Sequence, residues 1–392
     1  MSQTREALDA VVAEYRKALE IPDPSQLYAI FGTIAANLIE DAAPVWLIIV
    51  GPPSSGKSDP LKYLRGLPGI HTASEISAPG LLSCSPKKEK KATSTGGLLT
   101  SIGDFGILVV SDMSATISMQ EDRLKQLISI LRDVYDGHVS RHMGQDGGVT
   151  RVWTGKLGLI AASTGDIDRH HSVINSLGDR YLYFRMPKTD VEAKMLRAMS
   201  RDGNKNGIQA TIKELLEKID RKSVPVLDED TEKSLRSIAI FVAQSRTAVV
   251  RDNFTREVEF VNDPEEPVRL YLTLRTLSRG LMMIGLEPTE VLGLVARIAL
   301  DSLPPIRLWA IKVVSSSPNP VTLADVMEGS DFSETMVRRA LEDLTIYRII
   351  AREGKNGVQA LYSKNKWLKD FATIGTFPDI LSISLENKKE EE

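Results

Sequence analysis

A glycine-rich segment at residues 51–58 constrains this chain more than any other feature. It consists of Gly51, Pro52, Pro53, Ser54, Ser55, Gly56, Lys57 and Ser58, which matches the phosphate-binding pattern Gly-x-x-x-x-Gly-Lys-Ser/Thr, and the apolar run at residues 45–50 precedes it. A buried strand that ends in such a turn and opens a helix, which we predict at residues 58–64, presents backbone N–H groups to a polyphosphate. We predict that the segment binds ATP, that Lys57 reaches the β- and γ-phosphates, and that the Ser58 hydroxyl ligates Mg²⁺. The alternative is an ordinary surface turn.

Length and composition bound the other possibilities. A chain of 392 residues predicts two or three domains, because single cores stop growing near roughly 250–300 residues. No apolar run approaches the roughly 20 residues that span a bilayer, and the polar start lacks a secretory signal, so we expect a cytoplasmic protein without membrane contact. The single cysteine excludes an internal disulfide framework, and the five histidines lack metal-binding spacing. Because the net charge is −3, contact with nucleic acid must rely on local basic clusters.

A second apolar run, at residues 105–110, ends in Ser111 and Asp112. An aspartate at the carboxyl end of a buried strand, downstream of a phosphate loop, indicates a Walker B segment, in which Asp112 holds Mg²⁺ through water. Further strands are predicted at residues 70–74, 156–162 and 181–185. A helix is predicted at 121–135, and a hairpin with arms at 139–143 and 149–153. This alternation predicts an α/β fold with a doubly wound, mostly parallel sheet.

The remaining chain is predicted to be mainly helical. Helices at residues 191–199, 208–219, 230–250, 268–284 and 289–300 predict a helical lid, and paired prolines at 304–305 mark a boundary. Helices at 306–315 and 323–327, a third capped by Ser333, and a hairpin at 348–352 and 358–362 predict a winged helix-turn-helix. Its Arg338 and Arg339 would contact DNA, unless the module docks protein instead. The predicted segments are N-terminal helices at 1–43, a core at 44–187, the lid at 188–300, the winged helix at 301–375 and a disordered tail at 376–392.

The order of these elements resembles that of AAA+ ATPases, and within them the minichromosome maintenance (MCM)-like ring helicases and the helicase-like ATPases of phages and mobile elements. The resemblance covers residues 44–370. Over most of that length it consists of the order of the predicted helices and strands. It implies that Ser163 is sensor 1, that Arg180 is an arginine finger entering the neighbouring subunit's site, and that Arg269 is sensor 2. It also implies a loop at 86–97 and a hairpin at 137–154 that face a central channel. The residues that would contact nucleic acid there are Lys87, Lys88, Lys90, Lys91, Arg141, His142 and Arg151.

The resemblance implies a ring-forming, ATP-dependent DNA translocase or helicase. It would be a replicative or initiator-type enzyme of a phage or mobile element, assembled as a hexamer around single-stranded DNA, with catalytic residues Lys57, Asp112, Ser163, Arg180 and Arg269. Two positions depart from the group's pattern, since Met113 stands where glutamate is usual and Ser163 where asparagine is usual. Glu121, Asp133 and Asp136, in or directly after the helix predicted at 121–135, are the candidates for a carboxylate in place of the missing glutamate.

Two other functions therefore stay open. One is a nucleotide-switched DNA-binding initiator, loader or transcription regulator that does not unwind DNA, and the other is a remodeller of protein partners.

Overall fold

The computed structural model describes residues 3–21, 23–82, 97–143, 149–170, 180–187, 192, 195, 205–252, 254–354, 360–365 and 368. The chain divides into two compact units, Met1–Val226 with Thr276–Glu287, and Leu227–Arg275 with Pro288–Glu392. This division is coarser than the five predicted segments, whose boundaries stay predictions. In the part of the chain that the structure describes, no helix has both the length and the apolar character that a bilayer crossing requires.

The first unit is built around a parallel sheet of five strands. The strands of this unit are β1 (Trp46–Val50), β2 (Ile70–Ala73), β3 (Phe105–Val110), β4 (His138–Met143), β5 (Val149–Thr154), β6 (Lys156–Ser163) and β7 (Tyr181–Arg185). The parallel sheet has the spatial order β2-β3-β6-β1-β7, and β4 pairs with β5 as a separate antiparallel hairpin. The mixed α/β class and the parallel central sheet predicted from the sequence are confirmed. All residues of β1 are buried, as expected for a strand with both faces covered.

Helices cover both faces of this sheet. They are α1 (Gln3–Ala18), α2 (Ser25–Asn37), α3 (Ala78–Leu81), α4 (Leu98–Ile102), α5 (Ser114–Ile117), α6 (Glu121–Tyr135) and α7 (Lys205–Lys218). Helix α2 packs against β1 and β6, and α1 packs against α7. On the opposite face, Trp46 and Ile48 of β1 share one apolar cluster with Leu124, Leu127 and Leu131 of α6. The sheet therefore lies between two helical layers.

The helix predicted to begin at Ser58 differs from expectation. The structure has a short 3₁₀-helix at Pro60–Leu64 instead. The N–H groups of Asp59, Leu61 and Lys62 donate to the carbonyls three residues earlier, at 3.2, 3.2 and 3.3 Å, which is 3₁₀ rather than α-helical geometry.

The second unit contains helices and two small antiparallel hairpins. Its elements are α8 (Glu229–Arg246), β8 (Val249–Arg251), β9 (Val258–Val261), the first half of α9 (Val268–Met283), α10 (Pro288–Asp301), α11 (Pro305–Ser316), α12 (Leu323–Met327), α13 (Glu334–Ile346), β10 (Ile350–Glu353) and β11 (Leu361–Lys364). The helix predicted at 230–250 was wrong in its last turn, because Val249 and Val250 pair with Val261 and Phe260 in a hairpin. Valine favours strands, and the helical periodicity obscured this local preference.

The three helices and the hairpin predicted for the C-terminal segment are present. Strands β10 and β11 pair antiparallel, and Val321 bridges to Tyr362. The second arm lies at residues 361–364 rather than 358–362, and the predicted turn at 355–357 lies outside the described residues. Ser333 occupies the N-cap position of α13, although its side chain makes no capping hydrogen bond. The assignment of these elements as a winged helix-turn-helix stays a prediction.

A buried ionic network holds the second unit together. Arg307 is only 6% exposed, and its guanidinium donates to the carbonyls of Ser245 (2.9 Å) and Thr247 (2.7 Å) and to the Asp343 carboxylate (2.8 Å). Arg251 of β8 also donates to Asp343, at 2.5 Å. A buried charge requires such compensation. The network thus fastens α11 and α13 to the end of α8 and to the β8–β9 hairpin.

In the first unit, the second half of α9 crosses α2 at two glycines, which generates a stability prediction. A Cβ atom on Gly280 would lie 2.4 Å from the Gly32 carbonyl oxygen and 2.5 Å from the Ala36 nitrogen. We expect Gly280→Ala to lower the free energy of unfolding by about 1–3 kcal/mol, because backbone atoms must move. The control is Gly293→Ala in α10, where a Cβ meets nothing within 4 Å and the change should stabilise by about 0.4–1 kcal/mol. Urea unfolding measures both, and equal effects would contradict the tight crossing.

Candidate nucleotide-binding site

The glycine-rich segment at residues 51–58, called the phosphate loop here after its sequence pattern, leaves the sheet at the carboxyl end of β1. Backbone hydrogen bonds anchor the start of the loop on both sides. The Gly51 N–H donates to the Ser163 carbonyl at 3.1 Å, and the Met186 N–H donates to the Val50 carbonyl at 2.8 Å. A Cβ atom on Gly51 would lie 2.6 Å from Ser55 Oγ and 2.8 Å from Met186 Cγ. A side chain at position 51 would therefore have to displace the side chains of Ser55 and Met186.

The backbone of the loop forms a cradle of N–H groups. Ser54 and Gly56 have φ angles of 61° and 85°, in the left-handed region that turns the chain sharply. Among the described residues, no acceptor receives a hydrogen bond from the backbone N–H groups of Ser54, Gly56, Lys57 and Ser58. The Lys57 side chain is buried beside them, with Nζ donating to the Pro52 carbonyl at 3.3 Å. This combination of amides and one ammonium group fits a phosphate.

Asp112 lies at the same edge of the sheet as the loop. Strand β6 separates β3 from β1, so the ends of β3 and β1 are about 10 Å apart at the usual strand spacing. The Asp112 side chain is exposed, and Oδ1 accepts the Ser114 N–H at 2.8 Å. The described residues contain no cluster of three or more His, Cys, Asp or Glu side chains suited to a metal ion. One carboxylate and one hydroxyl, completed by phosphate oxygens, is a usual way to hold Mg²⁺. The assignment of Ser58 and Asp112 as ligands stays a prediction.

Met113 is turned away from this edge. Its N–H donates to the Ala162 carbonyl at 2.7 Å, and its side chain is 5% exposed within the apolar cluster that includes Val110, Ile117 and Ile167. Met113 therefore acts as a core residue. A glutamate at this position would enter the core rather than face a phosphate.

The end of β6 carries two hydroxyl groups in different surroundings. Ser163 is fully buried, and its Oγ has no hydrogen-bond partner among the described residues. Thr164 is half-buried, its Oγ1 lies 3.2 Å from Ser114 Oγ, and it donates to Asp166 Oδ2 at 3.2 Å. The sensor-1 role of Ser163 stays a prediction. The sequence analysis did not identify the hydrogen bonds that join the side chains of Ser114, Thr164 and Asp166. These bonds link the segments that follow β3 and β6.

Sequence reasoning also missed an ion pair at the end of β7. Arg185 is the cross-strand neighbour of Val50, the last residue before the loop. Its Nη1 and Nη2 donate to the two carboxylate oxygens of Asp168 at 2.9 and 2.7 Å. The sequence signal was available, since Arg185 ends a predicted strand and all parallel strands end at this edge. The pair places a positive and a negative group beside the phosphate loop.

Arg180 lies at the opposite edge of the sheet. It precedes Tyr181, which pairs with Trp46, the first residue of β1. Arg180 is 7% exposed, donates to both Asp136 oxygens at 3.2 and 3.1 Å, and lies over the Tyr135 ring with its Cζ 5.3 Å from the centroid. The role of an arginine finger is not tested by this geometry and stays a prediction.

The three carboxylates considered in place of the missing glutamate lie at the two ends of α6. Asp136 pairs with Arg180, so it lies at the edge opposite the loop, and Asp133 is exposed near the same end of α6. Glu121, at the other end of α6, is fully exposed and accepts a hydrogen bond from Lys125 at 2.6 Å. This bond with the Lys125 ammonium lowers the pKa of Glu121. A lowered pKa makes Glu121 a weaker base.

The predicted nucleic-acid residues are placed only in part. The lysines at positions 87, 88, 90 and 91 lie outside the described residues. In the β4–β5 hairpin, Arg141 and Arg151 are directly opposite each other on one face, and Arg141 donates to the Ala78 carbonyl at 3.1 Å. His142 lies on the other face, where its Nδ1 is 2.7 Å from Thr150 Oγ1. The hairpin thus carries two positive charges on one face.

In the second unit, Arg338 of α13 pairs with Glu334, and Arg339 is half-buried. A concave surface between α12, α13 and the β10–β11 hairpin mixes both charges with apolar groups, and its lining includes Leu323, Met327, Glu334, Arg338, Glu342 and Tyr362. This surface is not a basic patch. Arg269 also belongs to the second unit, near the start of α9, and its role as sensor 2 stays a prediction.

Comparison with known proteins gives weak structural similarities. No protein-family model and no curated protein matches the sequence. A crystal structure of a full-length MCM homologue from Methanopyrus kandleri is similar with a TM-score of 0.43 and 13% identity, covering 77% of this chain and 60% of that one. The chain therefore spans less than two thirds of that homologue.

Two further solved structures are less similar. The SCCmec type IV Cch active helicase matches with a TM-score of 0.37 and 12% identity, over 93% of this chain and 71% of that one. The apo A form of the NrS-1 C-terminal region matches with a TM-score of 0.25 and 12% identity, over 93% and 77%. One of these neighbours is named an MCM homologue and another a helicase, but the TM-scores and identities assign neither a family nor an activity to this chain.

The burial of Met113 generates a prediction about the missing glutamate. We expect Met113→Glu to lower the free energy of unfolding by about 2–4 kcal/mol, because a carboxyl group would be buried without a partner, and to leave ATP hydrolysis no faster. Met113→Leu is the control, with an expected loss below about 1.5 kcal/mol. Urea unfolding and a phosphate-release assay provide the measurements. A stable Met113→Glu variant with faster hydrolysis would show that this side chain can reach the nucleotide.

Proposed function

We propose that this chain is an ATPase of the AAA+ type that couples ATP turnover to movement along, or remodelling of, DNA. One observation supports the proposal: the loop, with four N–H groups that have no acceptor among the described residues, and the Asp112 carboxylate lie at the same edge of a parallel sheet, with one strand between them. That arrangement provides anion-binding groups on one side and a metal-binding carboxylate on the other. Few other ligands than a nucleoside triphosphate with Mg²⁺ match both.

In the proposed mechanism, each residue has an electrostatic or orienting task. The loop amides and Lys57 bind the phosphates, and Lys57 exchanges its contact with Pro52 for the β- and γ-phosphate oxygens. Ser58, and Asp112 through water, would hold Mg²⁺, which would supply positive charge next to the phosphates. Hydroxyl groups at the end of β6, on Ser163 or Thr164, would orient the attacking water. Arg269 would approach the γ-phosphate from the lid.

The proposed site is completed by a second copy of the chain. Arg180 lies at the sheet edge opposite its own loop, so it would reach a phosphate only in a neighbouring subunit. A cation delivered in this way stabilises the charge that develops in the transition state. The proposal therefore includes a ring, with six subunits as the expected number, and the proposed nucleic-acid strand passes through its channel.

The proposed DNA contacts are the lysines of the 86–97 loop and the hairpin arginines. Phosphate groups of a nucleic-acid strand bind such residues without sequence preference, through counterion release. The opposed pair Arg141 and Arg151 supports an anion contact at the hairpin. The surface around Arg338 carries both positive and negative groups. It therefore supports DNA binding by the C-terminal helices less than the hairpin arginines support DNA binding in the first unit.

A second candidate is a nucleotide-dependent switch that binds DNA without unwinding it. The buried side chain of Met113 favours this candidate, because the usual catalytic carboxylate has no equivalent there. Strand displacement on a forked duplex separates the two functions. A helicase displaces the strand with ATP, whereas a switch binds ATP and DNA and leaves the fork intact. Absence of any salt-sensitive DNA binding would favour a remodeller of protein partners.

DNA-stimulated ATPase activity tests the leading proposal. We expect single-stranded DNA to stimulate phosphate release and Lys57→Ala to abolish it, because the phosphates lose their ammonium contact. Replacing Lys87, Lys88, Lys90 and Lys91 with glutamine should remove the stimulation and leave the basal rate. The matched control replaces the exposed lysines Lys125, Lys213, Lys222 and Lys233, which changes the charge equally. Unchanged stimulation in the 87–91 variant would refute the proposed grip on DNA.

Mixing two inactive variants tests whether two subunits share one nucleotide site. Arg180→Ala should slow hydrolysis at least about 10³-fold, as loss of an arginine finger does. Mixed with Lys57→Ala, it should regain activity, because an intact loop then meets an intact Arg180 at one kind of subunit interface. Asp136→Asn breaks the same ion pair but keeps the guanidinium, so it controls for structural damage and should stay active. Activity in the mixture no higher than the sum of the separate variants would place Arg180 in a structural role.

A further inference from the structure

Side chains from the N-terminal helices reach the backbone of the segment that follows the phosphate loop. Gln26 of α2 donates through Nε2 to the Lys57 carbonyl at 3.0 Å, and the Tyr15 hydroxyl of α1 donates to the Pro60 carbonyl at 2.9 Å. At the far end of the segment, Gln209 of α7 donates to the carbonyls of Tyr63 and Arg65 at 3.2 and 3.0 Å. These bonds connect backbone carbonyls within residues 57–65 to α1, α2 and α7.

The bond from Gln26 replaces a bond of a regular helix. In an α-helix that began at Lys57, the Lys57 carbonyl would accept the N–H of Leu61, four residues later. In this chain the Leu61 N–H donates to the Ser58 carbonyl at 3.2 Å, in 3₁₀ geometry. The Lys57 carbonyl accepts from Gln26 instead. A residue 31 positions earlier thus supplies the hydrogen bond at the lysine of the loop.

Both partners in this contact are buried, so the bond is protected from water. Gln26 is 6% exposed and Lys57 is 8% exposed. Tyr15 is fully buried, and burial raises the pKa of its hydroxyl, which therefore stays protonated and donates. With Nζ of Lys57 on the Pro52 carbonyl and its own carbonyl on Gln26, the protein fixes both ends of this residue.

We propose that Gln26 is a positioning residue for nucleotide binding, a role that rests on the proposed function. Gln26 holds the Lys57 carbonyl, and the same peptide plane carries the Ser58 N–H, which has no acceptor among the described residues. It also ties helix α2 to the loop. Nucleotide binding then tightens α2, and loss of the Gln26 bond weakens nucleotide affinity without altering the loop's own sequence.

Calorimetric titration with MgATP tests this role in the full chain. Gln26→Met keeps the length of the side chain and removes the donor, and we expect its affinity for MgATP to fall at least tenfold. Gln209→Met is the matched control, because it removes equivalent bonds from the other end of the same segment. Its affinity should stay within threefold of the wild type, even where the melting temperatures of the two variants fall equally.

A second variant gives a pH readout that a packing defect would not produce. The carboxyl group of Gln26→Glu donates to the Lys57 carbonyl only when protonated. The ratio of its dissociation constant to that of the wild type should therefore fall as the pH is lowered from 8 to 5.5, whereas the ratio for Gln26→Met should stay flat. This comparison remains informative where Gln26→Met folds poorly.

Hydrogen exchange with and without MgATP gives the third readout. Amides of α2 should become protected in the wild type and not in Gln26→Met. Wild-type binding with unchanged affinity in both Gln26 variants would overturn the positioning role alone. Failure of the wild type to bind MgATP would overturn the proposed function and this role together.

Discussion

Strand β1 is hydrogen-bonded on both sides up to its last residue, and the site depends on this constraint. Val50 pairs with Ser163 of β6 and with Arg185 of β7. The pairing continues one step beyond the strand, through the bonds from the Gly51 and Met186 N–H groups. The phosphate loop therefore starts from a backbone that cannot shift, and close packing at Gly51 leaves no room for a side chain. The sheet determines where the loop turns, and the loop keeps its own N–H groups available for an anion.

The parallel sheet also separates two sets of charged residues. Every parallel strand ends at the same edge, which brings Lys57, Asp112, Thr164 and Arg185 to one side. Arg180 and Asp136 lie at the other edge, at the start of β7. Five strand residues span roughly 17 Å, which is longer than an arginine side chain. If Arg180 acts on a phosphate, it acts on that of another copy. Within its own subunit the ion pair with Asp136 and the stacking on Tyr135 compensate its buried charge.

Features with a strong local signal were predictable from the sequence. The bounds of β3, β7 and α6 agree with prediction, because apolar runs and helical periodicity mark them directly. The loop was recognisable from residue spacing alone. The 3₁₀-helix at Pro60–Leu64 was missed because the loop motif suggested a regular helix after it, and the β8–β9 hairpin was missed because helical periodicity outweighed the strand preference of Val249 and Val250. The contacts of Gln26 with Lys57 and of Thr164 with Ser114 have no local signal, because the partners are 31 and 50 residues apart and only the fold brings them together.

In the proposed function, binding and hydrolysis would depend on different parts of this site. The N–H groups proposed to bind the phosphates all belong to one loop, and Gln26 and Tyr15 contact the segment after it from α2 and α1. Hydrolysis would require more: a group that orients water, which Met113 cannot supply, and a cation at the γ-phosphate. The hydroxyl groups and carboxylate of Ser114, Thr164 and Asp166 lie across two strand ends, and the proposed cation comes from another subunit. Nucleotide affinity would thus be a property of one chain. The rate of turnover would be set by assembly, because only assembly brings the remaining groups to the phosphate.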